Sequence, residues 1–292
     1  MDSTMDGKAI VVTGAGRGLG AAFAEYLAAS GAGVVVNDVD ADVVAEVAGR
    51  IRTAGGAAVP CVASVADPEE AERIVDTAVR EFGVLHGLVN NAGLNYTAKP
   101  WDDDPARARE LVEVNVLGVI NVGLAAVRRM RETGGGSIVN VSSGALMGQR
   151  GLGVYAASKG AVASLTWSWA LDLEDEGIRV NALCPKAYTR MVWDSPRRAE
   201  LSKPTETPDR IAPLVRFLLS DRAAGITGQV VRCTGTQLHL VGHPYFKAPV
   251  LQRDEWDLAS VERAFAEVLG GALEPYGLER RQPPPLREWV PA

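Results

Sequence analysis

The run Ser142…Tyr155-Ala-Ala-Ser-Lys159 holds three side chains whose types and spacing could move a proton. Tyr155 and Lys159 stand four residues apart, so on a helix they leave the same face and can touch. A free phenol titrates near ~10, too high for ready proton exchange at neutral pH. An ammonium held beside it favours the phenolate and draws that value toward the range acid–base catalysis needs. Ser142 lies thirteen residues before the tyrosine, just past the apolar run Ile138-Val-Asn-Val141. From a strand end its hydroxyl can hold a carbonyl oxygen while Tyr155 delivers a proton. Tyr and Lys at this spacing are common on surface helices, so the surroundings must decide.

The first thirty residues supply such surroundings. Lys8-Ala-Ile-Val-Val-Thr13 is a short β-rich run, followed directly by Gly14-Ala-Gly-Arg-Gly18-Leu-Gly20 and a helical stretch over 21–30 that stops at Gly31. Strand, glycine turn and helix form the context in which glycines let a backbone approach a pyrophosphate at a helix N-terminus. The spacing, T-G-x-x-x-G-x-G, falls on Thr13, Gly14, Gly18 and Gly20. A second strand, Gly33-Val-Val-Val-Asn-Asp38, ends in a carboxylate 18 positions beyond Gly20. Asp38 can accept both ribose hydroxyls and would repel a 2′-phosphate, which favours NAD over NADP. Arg17 argues the other way, because a guanidinium in the loop could meet that phosphate; the carboxylate is expected to decide.

Taken jointly, these motifs resemble the short-chain dehydrogenase/reductase family over about residues 6–238. Asn90-Asn91-Ala92-Gly93 is similar to the family's NNAG, and Asn115 to the helix asparagine credited with anchoring a relay water. Ser142, Tyr155 and Lys159 match its catalytic serine, tyrosine and lysine. The resemblance implies a cofactor site made of Gly14, Arg17, Gly18, Leu19, Gly20, Asp38, Ser64, Val65, Asn91, Ala92, Gly93, Tyr155, Lys159, Pro185 and Thr189. It implies NAD as cofactor, a small alcohol or ketone as substrate, and a homotetramer or dimer formed through helices near 104–131 and 154–176.

Several positions depart from the family pattern. Its strand usually ends in two serines with the tyrosine thirteen after the second; Ser142 keeps the spacing while Ser143 keeps the second place. The spacing favours Ser142 and leaves Ser143 open. Ser64 replaces the usual adenine-capping aspartate, so adenine is expected to rest mostly on the backbone of Val65. Lys186 replaces the glycine after Pro185, and the loop to Thr189 is one residue short. The run Pro185-Lys-Ala-Tyr-Thr-Arg-Met191 is similar to the branch that oxidises (3R)-hydroxyacyl thioesters.

Composition suits a globular α/β enzyme: 292 residues, 47% apolar and 23% charged. Net charge −6 argues against nucleic acid or anionic membrane as a partner. No stretch reads as apolar enough for a membrane span, no secretory signal is evident, and scattered Cys61, Cys184 and Cys233 read as buried thiols of a cytoplasmic protein. His239 and His243 lack a third partner, so no metal is expected.

Strand runs near 57–61, 84–89, 136–142, 178–183 and 228–233 alternate with helical stretches. The alternation predicts a Rossmann-type, doubly wound parallel sheet of about seven strands flanked by helices. Residues 1–238 would form one catalytic domain, and 239–292 a C-terminal extension with a helix over 258–269. Its stripe of Leu258, Val261, Phe265 and Val268 is expected to pack on the enzyme body or a neighbouring subunit. Met191, Val192 and Trp193 suggest an apolar pocket. Two function classes stay open: an NAD-dependent alcohol/ketone oxidoreductase, with (3R)-hydroxyacyl thioesters as an alternative substrate, and a non-catalytic NAD-binding module. The intact Ser/Tyr/Lys set favours the oxidoreductase.

Overall fold

The computed structural model describes residues 5–187 and 206–278. Over the first compact unit, residues 1–241, strand and helix alternate as the apolar pattern requires. The strands are β1 (Ala9–Val12), β2 (Gly33–Asp38), β3 (Ala57–Val62), β4 (Gly87–Asn90), β5 (Gly136–Val141), β6 (Ile178–Pro185), β7 (Val230–Cys233) and β8 (Leu238–Leu240). They form one sheet in the order β3-β2-β1-β4-β5-β6-β7-β8. The first seven are parallel, and β8 pairs antiparallel with β7. The doubly wound parallel sheet is as the sequence predicts, with β8 as an eighth strand on its edge.

Helices cover both faces. On one side α1 (Gly18–Ala29), α2 (Ala41–Thr53) and a short helix α7 (Ala212–Leu219) bury Phe23, Leu27, Val44, Val215 and Leu218 against β1, β2 and β5. On the other, α3 (Pro68–Phe82), α5 (Gly118–Glu132) and α6 (Gly153–Asp172) close over Val11, Val35, Leu88 and Ile138. Strands buried on both faces read as continuous Val/Ile runs, as Ile10-Val-Val12 and Val34-Val-Val36 do. Local signals set the helix ends: Asp67 accepts from the N–H groups of Glu69 and Glu70, Pro68 opens α3, and Gly83 closes it at φ 80°.

α4 (Pro105–Val112) runs through a π-helical segment, Glu113–Leu117, into α5. The continuous stretch Pro105–Glu132, with a window of mean hydropathy 1.7, is long and apolar enough to cross a membrane. That corrects the expectation that no stretch would be. Val122, Ala125, Ala126 and Met130 are buried against the sheet, and Arg128 and Arg129 pair with Glu72 and Asp76 of α3. The stretch is a core helix of this fold.

The second unit begins at Gly242. It contains α8 (Leu258–Glu267), whose start is fixed by a capping box between Asp257 and Ser260. Lys247 pairs with Glu274 at 2.7 Å and donates to the carbonyl of Ala272. The helix forms where its period predicts it, while Leu258, Val261 and Phe265 of its stripe are exposed.

Candidate active site

Parallel strands bring their carboxyl ends to one edge, and the candidate residues follow that edge. Gly14 lies just past β1, Asp38 ends β2, Asn91 follows β4, Ser142 follows β5 and Pro185 ends β6.

At the β1–β2 end the geometry is set by backbone. Gly14 takes φ 60°, and a Cβ there would stand 2.7 Å from Cα of Ala92. A Cβ on Gly16 would run into Val43 and stand 2.9 Å from the Asp38 carboxylate. The Gly16 N–H donates to Asp38 Oδ2 at 3.1 Å, and the Val39 N–H donates to Oδ1 at 2.8 Å. The carboxylate is thereby held against the glycine loop with both oxygens oriented. Gly18 opens α1, Leu19 packs into the core beneath it and Gly20 is buried. No side chain caps α1, which leaves its first N–H groups for an anion. Arg17 turns outward and pairs with Asp40 at 2.8 Å.

Gly16 is the residue here that motif spacing underweights. Thr13 Oγ1 accepts from the N–H groups of both Asn91 and Ala92 at 3.0 and 3.1 Å. Asn91 Nδ2 donates to the carbonyls of Thr13 and Gly14, each at 2.9 Å. The Asn91 side chain therefore anchors the glycine loop. At the end of β3, the Ser64 N–H donates to Glu70 at 2.5 Å, and the Val65 carbonyl accepts from Asn121 at 3.2 Å. A dinucleotide fits this cradle: small residues where Cβ atoms would intrude, oriented N–H groups, and a carboxylate at the end of β2.

The β5–α6 end is made of side chains. α6 carries Tyr155 and Lys159 on one face, with Lys159 Nζ 5.7 Å from the Tyr155 ring centroid. Lys159 is buried, and its ammonium donates to the Val141 carbonyl at 2.8 Å. Burial pulls its pKa down to about 8. Neighbouring Cys184, on β6, is pushed up to about 11 by burial, so it stays a neutral thiol.

Asn115, fully buried, sits in the π-helical segment, a distortion frequent at functional sites. Its amide accepts from the Leu94 N–H at 2.7 Å and donates to the Leu94 carbonyl and to Ser158 Oγ. Ser158 Oγ in turn donates to the Tyr155 carbonyl at 2.8 Å. Gly93 lies where these groups converge: a Cβ there would stand 3.2 Å from Asn115 Oδ1 and 3.6 Å from Lys159 Nζ. A buried chain also runs from Asn90 to Asn140 to Thr166, tying β4 and β5 to α6. Its members lie on separate elements, which is why no local motif announces it.

The two serines differ in surroundings. Ser142 is buried and its hydroxyl donates to the Lys159 carbonyl at 2.8 Å. Ser143 is half-buried, and its oxygen accepts from the Ala145 N–H at 3.2 Å. The thirteen-residue spacing thus selects the serine whose proton is engaged by the helix backbone. Beyond Pro185, Lys186 Nζ pairs with Glu206 at 3.1 Å. Thr189, with Met191, Val192 and Trp193, lies outside the described residues.

Residues 8–199 match the model of the family described as short chain dehydrogenase. The chain is 38% identical over 236 residues to the cis-4-hydroxycyclohexanecarboxylate dehydrogenase of Sinomonas cyclohexanicum, covering 77% of this chain and 94% of that one. A short chain dehydrogenase from Mycobacterium avium superposes with TM-score 0.83 at 31% identity, covering 94% of this chain and 98% of that one. A 7α-hydroxysteroid dehydrogenase complexed with NADH and 7-oxo glycochenodeoxycholic acid gives TM-score 0.72 at 31% identity, over 80% and 96% of the two chains. A gluconate 5-dehydrogenase from Burkholderia cenocepacia, in complex with NADP and tartrate, gives 0.73 at 31% identity with the same coverage. The chain belongs to the short-chain dehydrogenase/reductase family of oxidoreductases.

Proposed function

We propose that this chain interconverts a secondary alcohol and a ketone with NAD as cofactor, on a mostly apolar small molecule. The observation that carries the reading is the buried Lys159 ammonium on the same helix face as Tyr155, at the strand edge that also holds the glycine loop and Asp38. Bound nicotinamide would supply the hydride-accepting or hydride-donating carbon.

Tyr155 would take the alcohol proton in oxidation, or return it in reduction. The Lys159 charge beside the phenol favours its ionised form, and the Val141 carbonyl holds that charge in place. We assign the substrate oxygen to Ser143 Oγ, whose proton is not engaged by the helix, and assign to Ser142 the fixing of α6 through the Lys159 carbonyl. Asn115 would steady Tyr155 through Ser158 and line the proton path. Gly14, Gly16, Gly18 and Gly20 would admit the pyrophosphate, and Asp38 the adenosine ribose. NAD preference rests on that carboxylate, since relatives in the family carry either nucleotide. The relatives acting on ring alcohols and ring ketones make cyclic secondary alcohols the first substrates to try. Three buried free thiols suit a reducing, cytoplasmic compartment. An apolar groove of about 370 Å³ beside Val116, Ile120, Val162 and Leu165 supports association with a second copy.

The test is Tyr155→Phe, assayed over a panel of secondary alcohols by absorbance at about 340 nm, with sedimentation of the same preparations reading the oligomer. Turnover should fall by roughly 10²–10⁴-fold while calorimetric NAD⁺ affinity stays within a few-fold. Turnover within tenfold of the parent would remove Tyr155 from the reaction.

A further inference from the structure

At the carboxyl end of β2 two carboxylates and one guanidinium lie together, and the two carboxylates have different partners. Asp38 faces the glycine loop, with Oδ2 on the Gly16 N–H and Oδ1 on the Val39 N–H. Asp40 caps α2, its Oδ1 accepting from the Asp42 N–H at 3.2 Å. Its other oxygen, Oδ2, accepts from Arg17 Nη2 at 2.8 Å. Arg17 stems from the residue immediately before α1, in extended backbone at φ −151°. Its side chain is 57% exposed, and the cap on α2 fixes the carboxylate that holds it.

From this arrangement we infer that Asp40 is a nucleotide-specificity residue, acting by holding the Arg17 guanidinium away from an incoming 2′-phosphate. The inference rests on the dinucleotide reading of the cradle above. A guanidinium presents a planar fork of donors that matches phosphate, so Arg17 is the side chain at this end best suited to NADP. Asp38 supplies direct repulsion at the ribose, and Asp40 adds an indirect barrier, since a 2′-phosphate recruits Arg17 only after the ion pair breaks. The pair is exposed, and such pairs contribute little in water, so the barrier is small. The pull of Arg17 toward a 2′-phosphate is thereby reduced, which eases the conflict the sequence poses.

Asp40→Asn separates the two roles of this residue, because asparagine caps a helix as well as aspartate does while carrying no charge. The full-length chain and its Asp40→Asn, Arg17→Ala and doubly substituted forms are titrated calorimetrically with NAD⁺ and with NADP⁺. Unchanged thermal midpoints verify that α2 keeps its cap. Asp40→Asn should shift the ratio of the two dissociation constants toward NADP by about two- to fivefold, the scale of an exposed ion pair. In the Arg17→Ala background the same substitution should shift it by less than half as much. An equal shift in both backgrounds would mean that Asp40 repels the phosphate directly, which overturns the inference, as would no shift in the parent. A parent that already binds NADP more tightly defeats the Asp38 reading instead, and the coupling between Arg17 and Asp40 remains measurable in it.

Discussion

Two ends of one sheet edge are built from different materials. At the β1–β2 end the decisive groups are amides, glycines and one carboxylate held by backbone N–H groups. At the β5–α6 end they are side chains whose positions depend on a buried lysine, a buried asparagine and the Asn90–Asn140–Thr166 chain. The first end is a strand–turn–helix unit joined by Asp38 of β2 and anchored by Asn91 after β4, and its loop asks for small residues. The second is assembled from α4–α5, β5, α6 and β6, and it places an ammonium in a dry interior, where charge is costly. Substitutions should therefore act on the first end through space and on the second through proton position and electrostatics.

The largest effect that separates neighbours at the β5–α6 end is expected from the serine pair. Ser143→Ala should lower kcat by about 10²-fold, in the range for a positioned hydrogen-bonding group in acid–base chemistry. Ser142→Ala should stay within about tenfold and instead cost about 1 kcal/mol of stability, because it deletes a buried hydrogen bond to the Lys159 carbonyl. Steady-state kinetics with thermal melts checks both. If Ser142→Ala shows the larger kinetic loss, the strand ends in a different register at the active site than its hydroxyl partners indicate.

At the β1–β2 end the expected effect is smaller and sterically caused. Gly16→Ala places a methyl against Val43 and 2.9 Å from Asp38 Oδ2, so loop or carboxylate must shift. NAD⁺ affinity should drop about tenfold, with a stability loss of about 1–3 kcal/mol for overpacking. Turnover at saturating cofactor should change far less. A drop in kcat with unchanged affinity would break the division between the two ends.

The same division explains what was legible in the sequence. Thr13, Gly14, Gly18, Gly20 and Asp38 announce themselves because their constraint is local spacing, and β1, α1 and β2 follow from period and punctuation. Tyr155 and Lys159 are legible for the same reason, since four residues make one helical turn. Spacing favours Ser142 but does not fix the serine register, because a one-residue difference in the 144–154 connection leaves Ser143 open as well. Which of them faces α6 depends on strand alternation, with Asn140 and Ser142 leaving the side that meets this helix. Gly16 is invisible to a pattern that counts only the motif's fixed positions, although its missing Cβ makes room for Asp38. β8 escaped because a three-residue run of Leu238, His239 and Leu240 carries too little periodicity to be read.

The most delicate expectation is a gain in stability at the β5–α6 end. Burial lowers the Lys159 pKa from its ordinary 10.5 to about 8. Between those values the unfolded chain binds more protons at this residue than the folded one. Its contribution to stability therefore rises with pH from about 8 to 10.5 and is most unfavourable below 8. At pH near ~7 the native state carries the full cost of a desolvated ammonium, offset in part by the Val141 carbonyl. Lys159→Met keeps an apolar stem of similar length and removes the charge. The variant should be inactive yet more stable than the parent near pH ~7, by about 1–3 kcal/mol after losing the bond to Val141. That advantage should shrink as the pH is raised toward ~10, where the parent lysine is neutral in the fold. Denaturant melts of both forms at several pH values measure it. A variant less stable at every pH, with a gap that does not change, would mean that the ammonium is solvated in the native state. Proton chemistry would then be no costlier to stability than the glycine loop.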